Sequence, residues 1–131
     1  MKYLILIYSN PKSWGHPIFE RTPEFQALPE DEQAALSEQA EALDKEITES
    51  GELIAGTALA DPVHTRTVRV RDGLPVTTDG PYAEAKEQLA GYFVVDCESP
   101  ERAAEIAERF PDARFAGIEV RPIMETSGQE M

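Results

Sequence analysis

Two apolar, strand-like runs at residues 3–8 and 92–97, an amphipathic helix pattern after each, and an Asp72-Gly73 hairpin signal between them predict an α+β fold. In chain order the elements read strand, helix, strand, hairpin, strand, helix, strand. That is a ferredoxin-like split βαβ arrangement with an inserted β-hairpin and an antiparallel sheet, both helices on one face.

Each element has a local reason. Residues 3–8 are an unbroken apolar, aromatic and β-branched run, as expected of a central strand covered on both faces. Residues 9–29, with Pro11, Gly15, Pro17, Pro23 and Pro29, read as a long irregular connection, a length more typical of lids and binding segments than of plain links. Leu36, Ala40, Leu43 and Ile47 then recur at helical spacing, and Gly51 ends the helix. The strand at 53–59 carries Ile54, Gly56, Ala58 and Ala60 on one face, small residues that leave space. Residues 65–71 and 76–78 flank Asp72-Gly73 as a hairpin, with Pro75 marking an edge strand. If the polar stretch before the second central strand is only a turn, residues 84–88 read as a solvated helical turn. Residues 89–97 form the second central strand. Ser99-Pro100-Glu101 supplies a hydroxyl N-cap, a proline at the first helical position and an early acid, and Ala103, Ile106, Ala107 and Phe110 form that helix's buried face. Residues 117–123 alternate and close the fold. One domain is expected over 1–125, with 126–131 a frayed tail.

Two helices can cover only one side of the sheet, yet both central strands are apolar on both sides. A second copy packing sheet to sheet in a homodimer is the economical cover, with a cavity between or beside the sheets.

The 131 residues include 25 Asp and Glu against 12 Lys and Arg, a formal charge of −13. A surface of that sign repels nucleic acid and anionic membrane, and no local basic patch overrides it. Eleven of the acids fall between Glu20 and Glu52, against Arg21 and Lys45 alone, so the surplus concentrates on or beside the first helix. The single cysteine, Cys97, forms no internal disulfide, which fits a reducing cytoplasm, and it ends a buried strand as a small core residue. The apolar start stops at Ser9-Asn10-Pro11-Lys12, too early for a signal peptide, and no stretch reaches the roughly 18 apolar residues of a membrane span. Phosphate cradles, HExxH, paired CxxC and GxSxG are all absent, so neither cofactor nor metal is expected. His16 and His64 both fall in loops without metal-ligand spacing.

The richest stretch is Thr77 to Tyr92, TTDGPYAEAKEQLAGY. One reading is a turn, Asp79-Gly80-Pro81 supplying an acceptor and φ freedom. The other is a site in which strand ends project Asp79, Tyr82, Glu84 and Lys86 toward the space beside the small-residue strand, for proton transfer or polar ligand capture.

The run DGPYAEAKEQLAGYFVVD resembles the DGPF signature of the YCII-related (DGPF-domain) proteins, mostly small uncharacterised bacterial proteins. KYLILIY, the TVRVRDG hairpin and IEVRPI fall where that family has its equivalents, so the resemblance spans nearly the whole chain. It implies a dimeric α/β barrel. Genes for some relatives lie beside those for extracytoplasmic-function sigma factors, which implies a regulatory connection. Relatives in the wider group carry a His and Asp pair proposed as acid and base; the Asp corresponds to Asp79, while no histidine stands between Phe19 and Val63. Tyr82 replaces the usual Phe and adds a phenol, Ala85 replaces a common Thr, and Ala90 a common Gly.

The first expectation is therefore a homodimer binding a small polar or aromatic metabolite near the DGPY motif, with weak acid/base activity as its catalytic version. Asp79, Tyr82 and His64 are the candidate catalytic groups, and Thr78, Glu84, Lys86 and Arg66 the ligand-binding ones. The alternative is a non-catalytic interaction module meeting a sigma factor through Glu38, Glu41 and Asp44 of the acidic helix. A third reading makes the motif purely architectural.

Overall fold

The computed structural model describes residues 1–14 and 19–124; His16 and the tail at 126–131 lie outside the described residues. Its strands are β1 (Lys2–Ser9), β2 (Leu53–Ala58), β3 (Arg66–Arg71), β4 (Leu74–Asp79), β5 (Gln88–Asp96) and β6 (Ile118–Pro122). Its helices are α1 (Pro23–Gln26), α2 (Glu30–Glu49) and α3 (Pro100–Glu108). This is an α+β architecture with antiparallel sheets, and the described residues close no barrel.

β1 lies inside a four-stranded sheet of order β2-β5-β1-β6, antiparallel at every step. Ile5 stands opposite Phe93 and Val120, Leu6 opposite Tyr92 and Glu119. Because strand side chains alternate, Tyr3, Ile5 and Val95 all point one way and are 1 % exposed or less. They meet Leu43 and Ile47 of α2 and Ala103 and Ile106 of α3, each large side chain gaining about 1.5–3 kcal/mol from burial. Leu4, Leu6, Tyr92 and Val94 point the other way, pair across β1 and β5, and are only half-buried. Among the described residues no helix covers them.

α2 keeps the expected stripe and ends at Ser50, with Gly51 at φ 82°. It lacks a side-chain N-cap, so Glu30, Asp31 and Glu32 complement its exposed N–H groups electrostatically. α3 begins as read from sequence, the Ser99 hydroxyl accepting from Arg102 N–H at 3.1 Å. The first surprise is the connection. Its end is ordered as α1, capped by Thr22, and Phe19, Phe25 and Leu36 form a second core cluster beside Phe115. Single-sequence periodicity missed it because four residues are too short to show a period.

β2 departs from its expected face. The register shifts between Leu53 and Ala55, so Leu53 and Gly56 point toward the helices opposite Val95 and Phe93, while Ile54 turns outward and is half exposed. The space expected beside its small residues is taken: a Cβ on Gly56 would lie 2.8 Å from the Phe93 ring, which stacks on Phe110 at 4.7 Å. The inserted hairpin forms where the sequence placed it, β3 and β4 pairing as a sheet of their own around a turn with Asp72 at φ 51° and Gly73 at φ 78°. Residues 84–87 take no helical turn.

One ionic cluster ties α2, α3 and the start of β2. Arg102 donates to both carboxylate oxygens of Glu52 at 2.9 Å, to Glu46 at 2.9 Å and to Glu105 at 2.7 Å. Arg109 donates to both oxygens of Glu46 at 2.7 and 3.0 Å. Hydrogen bonds from Arg109 first and Arg102 second hold the Glu46 carboxyl down at about 2.

Arg102→Ala is expected to lower unfolding stability by about 1–3 kcal/mol in denaturant titration, since Glu52 loses a two-point partner. Because the Glu46 pKa falls on folding from 4.5 to about 2, its contribution is complete above the unfolded value and is lost as pH drops through that window. Thermal melts at stepped pH should therefore show a shallower acid decline in Glu46→Gln than in the parent. Gly56→Ala should cost about 1–3 kcal/mol by displacing the Phe93 ring, with partial recovery when Phe93→Leu is added.

Candidate functional site

The chain leaves the hairpin through Gly80, whose φ of 100° suits a residue without a Cβ. Its N–H donates to Thr65 O at 2.7 Å, and Thr67 Oγ1 donates to Gly80 O at 2.9 Å, so the Asp79-Gly80 step pins the base of the hairpin. The segment beyond runs without regular structure to β5, held by Gln88 Nε2 donating to Ala83 O at 3.0 Å and Ala85 O at 3.2 Å. It borders two clefts, one at its start and one at its end.

The cleft at its start has a volume of about 370 Å³ and is bordered by His64, Tyr82, Asp61 and Thr65, with Leu59 and Leu89 supplying apolar wall. His64 ends a short turn, Pro62–His64, that Asp61 caps by accepting Val63 N–H at 2.9 Å. Trp14 reaches back from the connection and donates its indole N–H to Leu59 O at 3.4 Å. The Arg69 guanidinium lies 4.9 Å from the centre of the Tyr82 ring, a cation held over a π face. An imidazole, a phenol and an apolar wall suit recognition of a small molecule with an aromatic or polar part.

The other sequence candidates lie elsewhere. Asp79 and Arg66 are opposed across β3 and β4, 4.0 Å apart, with the Asp79 side chain 96 % exposed; such a surface pair contributes little. Asp79 borders neither cleft. Thr78 faces Thr67 on the exposed hairpin, and Arg66 borders a shallow depression there with Arg69 and Tyr82. Glu84 is exposed on the irregular segment. Lys86 borders the second cleft, of about 190 Å³, together with Tyr8, Asn10, Glu24 and Glu87.

Sequence reading passed over Asp61, Tyr8, Asn10 and Glu24. The signal for Asp61 was its position before Pro62, a turn-capping pattern; that for Asn10 was the abrupt polar end of the β1 run before Pro11. Burial first and a hydrogen bond with Glu119 second raise the Tyr8 phenol pKa. Burial likewise raises that of the Cys97 thiol, which lies 3.6 Å from Ser99 O and behaves as a core residue. Among the described residues no group of three or more His, Cys, Asp and Glu could hold a metal ion, and no helix is long and apolar enough to cross a membrane.

An uncharacterised protein of Rhizobium meliloti (strain 1021) is 33 % identical over 84 residues, covering 63 % of this chain and 68 % of the relative. The profile of the YCII-related domain matches residues 1–127, nearly the full length, and the chain belongs to the YCII-related domain family.

Proposed function

We propose that this protein is a homodimer of ferredoxin-like domains, paired as a dimeric α/β barrel, that binds a small aromatic or polar metabolite in the cleft bordered by His64 and Tyr82. The observation that carries the ligand reading is the convergence of these two groups, from separate segments, on one cleft whose wall is partly apolar. The imidazole is the group suited to move a proton, and the phenol to donate a hydrogen bond. Arg69, whose guanidinium lies over the Tyr82 ring, favours a ligand with a carboxylate or similar anion beside its ring.

The pairing rests on apolar surface that a single copy leaves uncovered. Leu4, Leu6, Tyr92 and Val94 form the half-buried outer face of the sheet, and Val68, Val70 and Leu74 on the hairpin are each more than 60 % exposed. An isolated two-stranded hairpin is marginal in water, so one that displays this much apolar surface is best explained by a partner sheet. The acidic-helix reading has less behind it. Glu38, Glu41 and Asp44 are exposed on α2, but Arg102, Arg109 and Arg114 of the same chain already engage Glu46 and Glu32. A partner such as a sigma factor would meet a surface partly neutralised from within.

Sedimentation equilibrium is expected to give about twice the 14.5 kDa chain mass, and Val68→Asp with Val70→Asp to shift it toward one copy while circular dichroism is retained. Titration calorimetry with 4-hydroxybenzoate as probe should detect binding, and His64→Ala and Tyr82→Ala should each weaken it roughly tenfold, about 1.4 kcal/mol. Equal affinity in both variants would remove the cleft from consideration.

A further inference from the structure

Strand register gives the outer face of the four-stranded sheet a definite pattern. Side chains alternate along each strand, so Leu4, Leu6, Tyr92 and Val94 share that face with the residues opposite them on the two edge strands. One row across the sheet reads Ala55, Val94, Leu4, Arg121, and the next reads Thr57, Tyr92, Leu6, Glu119. Lys2 and Asp96 stand opposite each other in the row beyond Arg121.

Lys2, Asp96, Glu119 and Arg121 are all the charges that the four strands carry, two of each sign, in a chain of net charge −13. Two such chains repel at long range, and they meet most readily where the surface is locally balanced. α2, on the other side of the sheet, offers one base, Lys45, among its acids. The outer face is therefore the electrostatically favoured meeting place for two copies.

The order of the charges also selects how the copies are turned. With a two-fold axis along the strands, β6 of one copy lies over β2 of the other, where Ala55 and Thr57 offer no ionic partner to Glu119 and Arg121. With the axis across the strands, between the two rows, each row lies over the other row of the partner. Arg121 then faces Glu119 of the partner subunit, a small side chain faces a large one at Val94 and Tyr92, Leu4 meets Leu6, and every contact is made twice. Packed sheets lie about 10 Å apart with strands within about 30° of alignment, a gap that Arg and Glu reaching from opposite sides can span.

We infer that two copies pair through this face about an axis crossing the strands, and that a reciprocal contact between Glu119 and Arg121 fixes their register. The inference rests on the homodimer proposed above and specifies the surface it uses. Sedimentation equilibrium of the full chain tests it with Glu119→Arg and Arg121→Glu. Each alone sets like charges over like charges and should raise the dimer dissociation constant at least tenfold, roughly 1.4 kcal/mol, with circular dichroism unchanged because both side chains are exposed. An equimolar mixture of the two variants should associate about as tightly as the parent, since a face with two arginines then meets one with two glutamates. Both substitutions in one chain restore the reciprocal contact and should recover the dimer, which also covers the case of a single reversal that fails to fold. A parent chain that sediments as one copy would overturn the homodimer and this contact together. A dimeric parent whose folded single variants dissociate no more readily, or do not recover on mixing, would overturn this contact alone and leave the homodimer to another surface.

Discussion

The two-sided apolar character of β1 and β5 is the constraint from which the rest of this molecule follows. Their inward residues, Tyr3, Ile5 and Val95, are sealed by α2 and α3. Their outward residues, Leu4, Leu6, Tyr92 and Val94, have no helix to meet, because the connections place both helices on the same side. A sheet with one finished and one unfinished face presents apolar area whose natural cover is another sheet, which is the physical basis of the proposed pairing. The hairpin forms a separate two-stranded sheet and exposes apolar side chains of its own, among them Val68, Val70 and Leu74.

The helical side is secured in a way the composition conceals. A chain of net charge −13 concentrates its acids near α2, which taken alone should repel α3 with its own Glu101, Glu105 and Glu108. Arg102 and Arg109 reverse that sign locally by engaging Glu46, Glu52 and Glu105 along the helix seam. Arg102 and Glu52 side chains are only 18 % and 17 % exposed, so this contact is less screened than an ordinary surface pair. The excess negative charge left over is on the solvent side of α2, where it favours solubility.

Within the motif, position separates residues that sequence had grouped. Gly80 makes the hairpin base, Tyr82 borders one cleft, Lys86 borders another, and Asp79 stands in solvent beside Arg66. Strand geometry explains the division. Asp79 ends β4 while Tyr82 follows a left-handed glycine and a proline, so the chain has changed direction between them. His64 joins Tyr82 because Gly80 N–H bonds to Thr65 O, which brings the entrance and exit of the hairpin together. No linear spacing of His64 and Tyr82 could have shown this.

Sequence by itself determined the element order, the two central strands, the stripe of α2, the capped start of α3 and the Asp72-Gly73 turn. Each is written in local patterns: periodicity, a hydroxyl before a proline, a turn dipeptide. Tertiary structure alone decided the rest. The bulge that turns Ile54 outward, the Phe93 ring filling the space beside Gly56, the second core around Phe19 and Phe25, and the separation of Asp79 from the clefts all depend on side chains far apart in the chain. Local propensity reads which face a strand prefers; only packing determines what occupies the volume beside it.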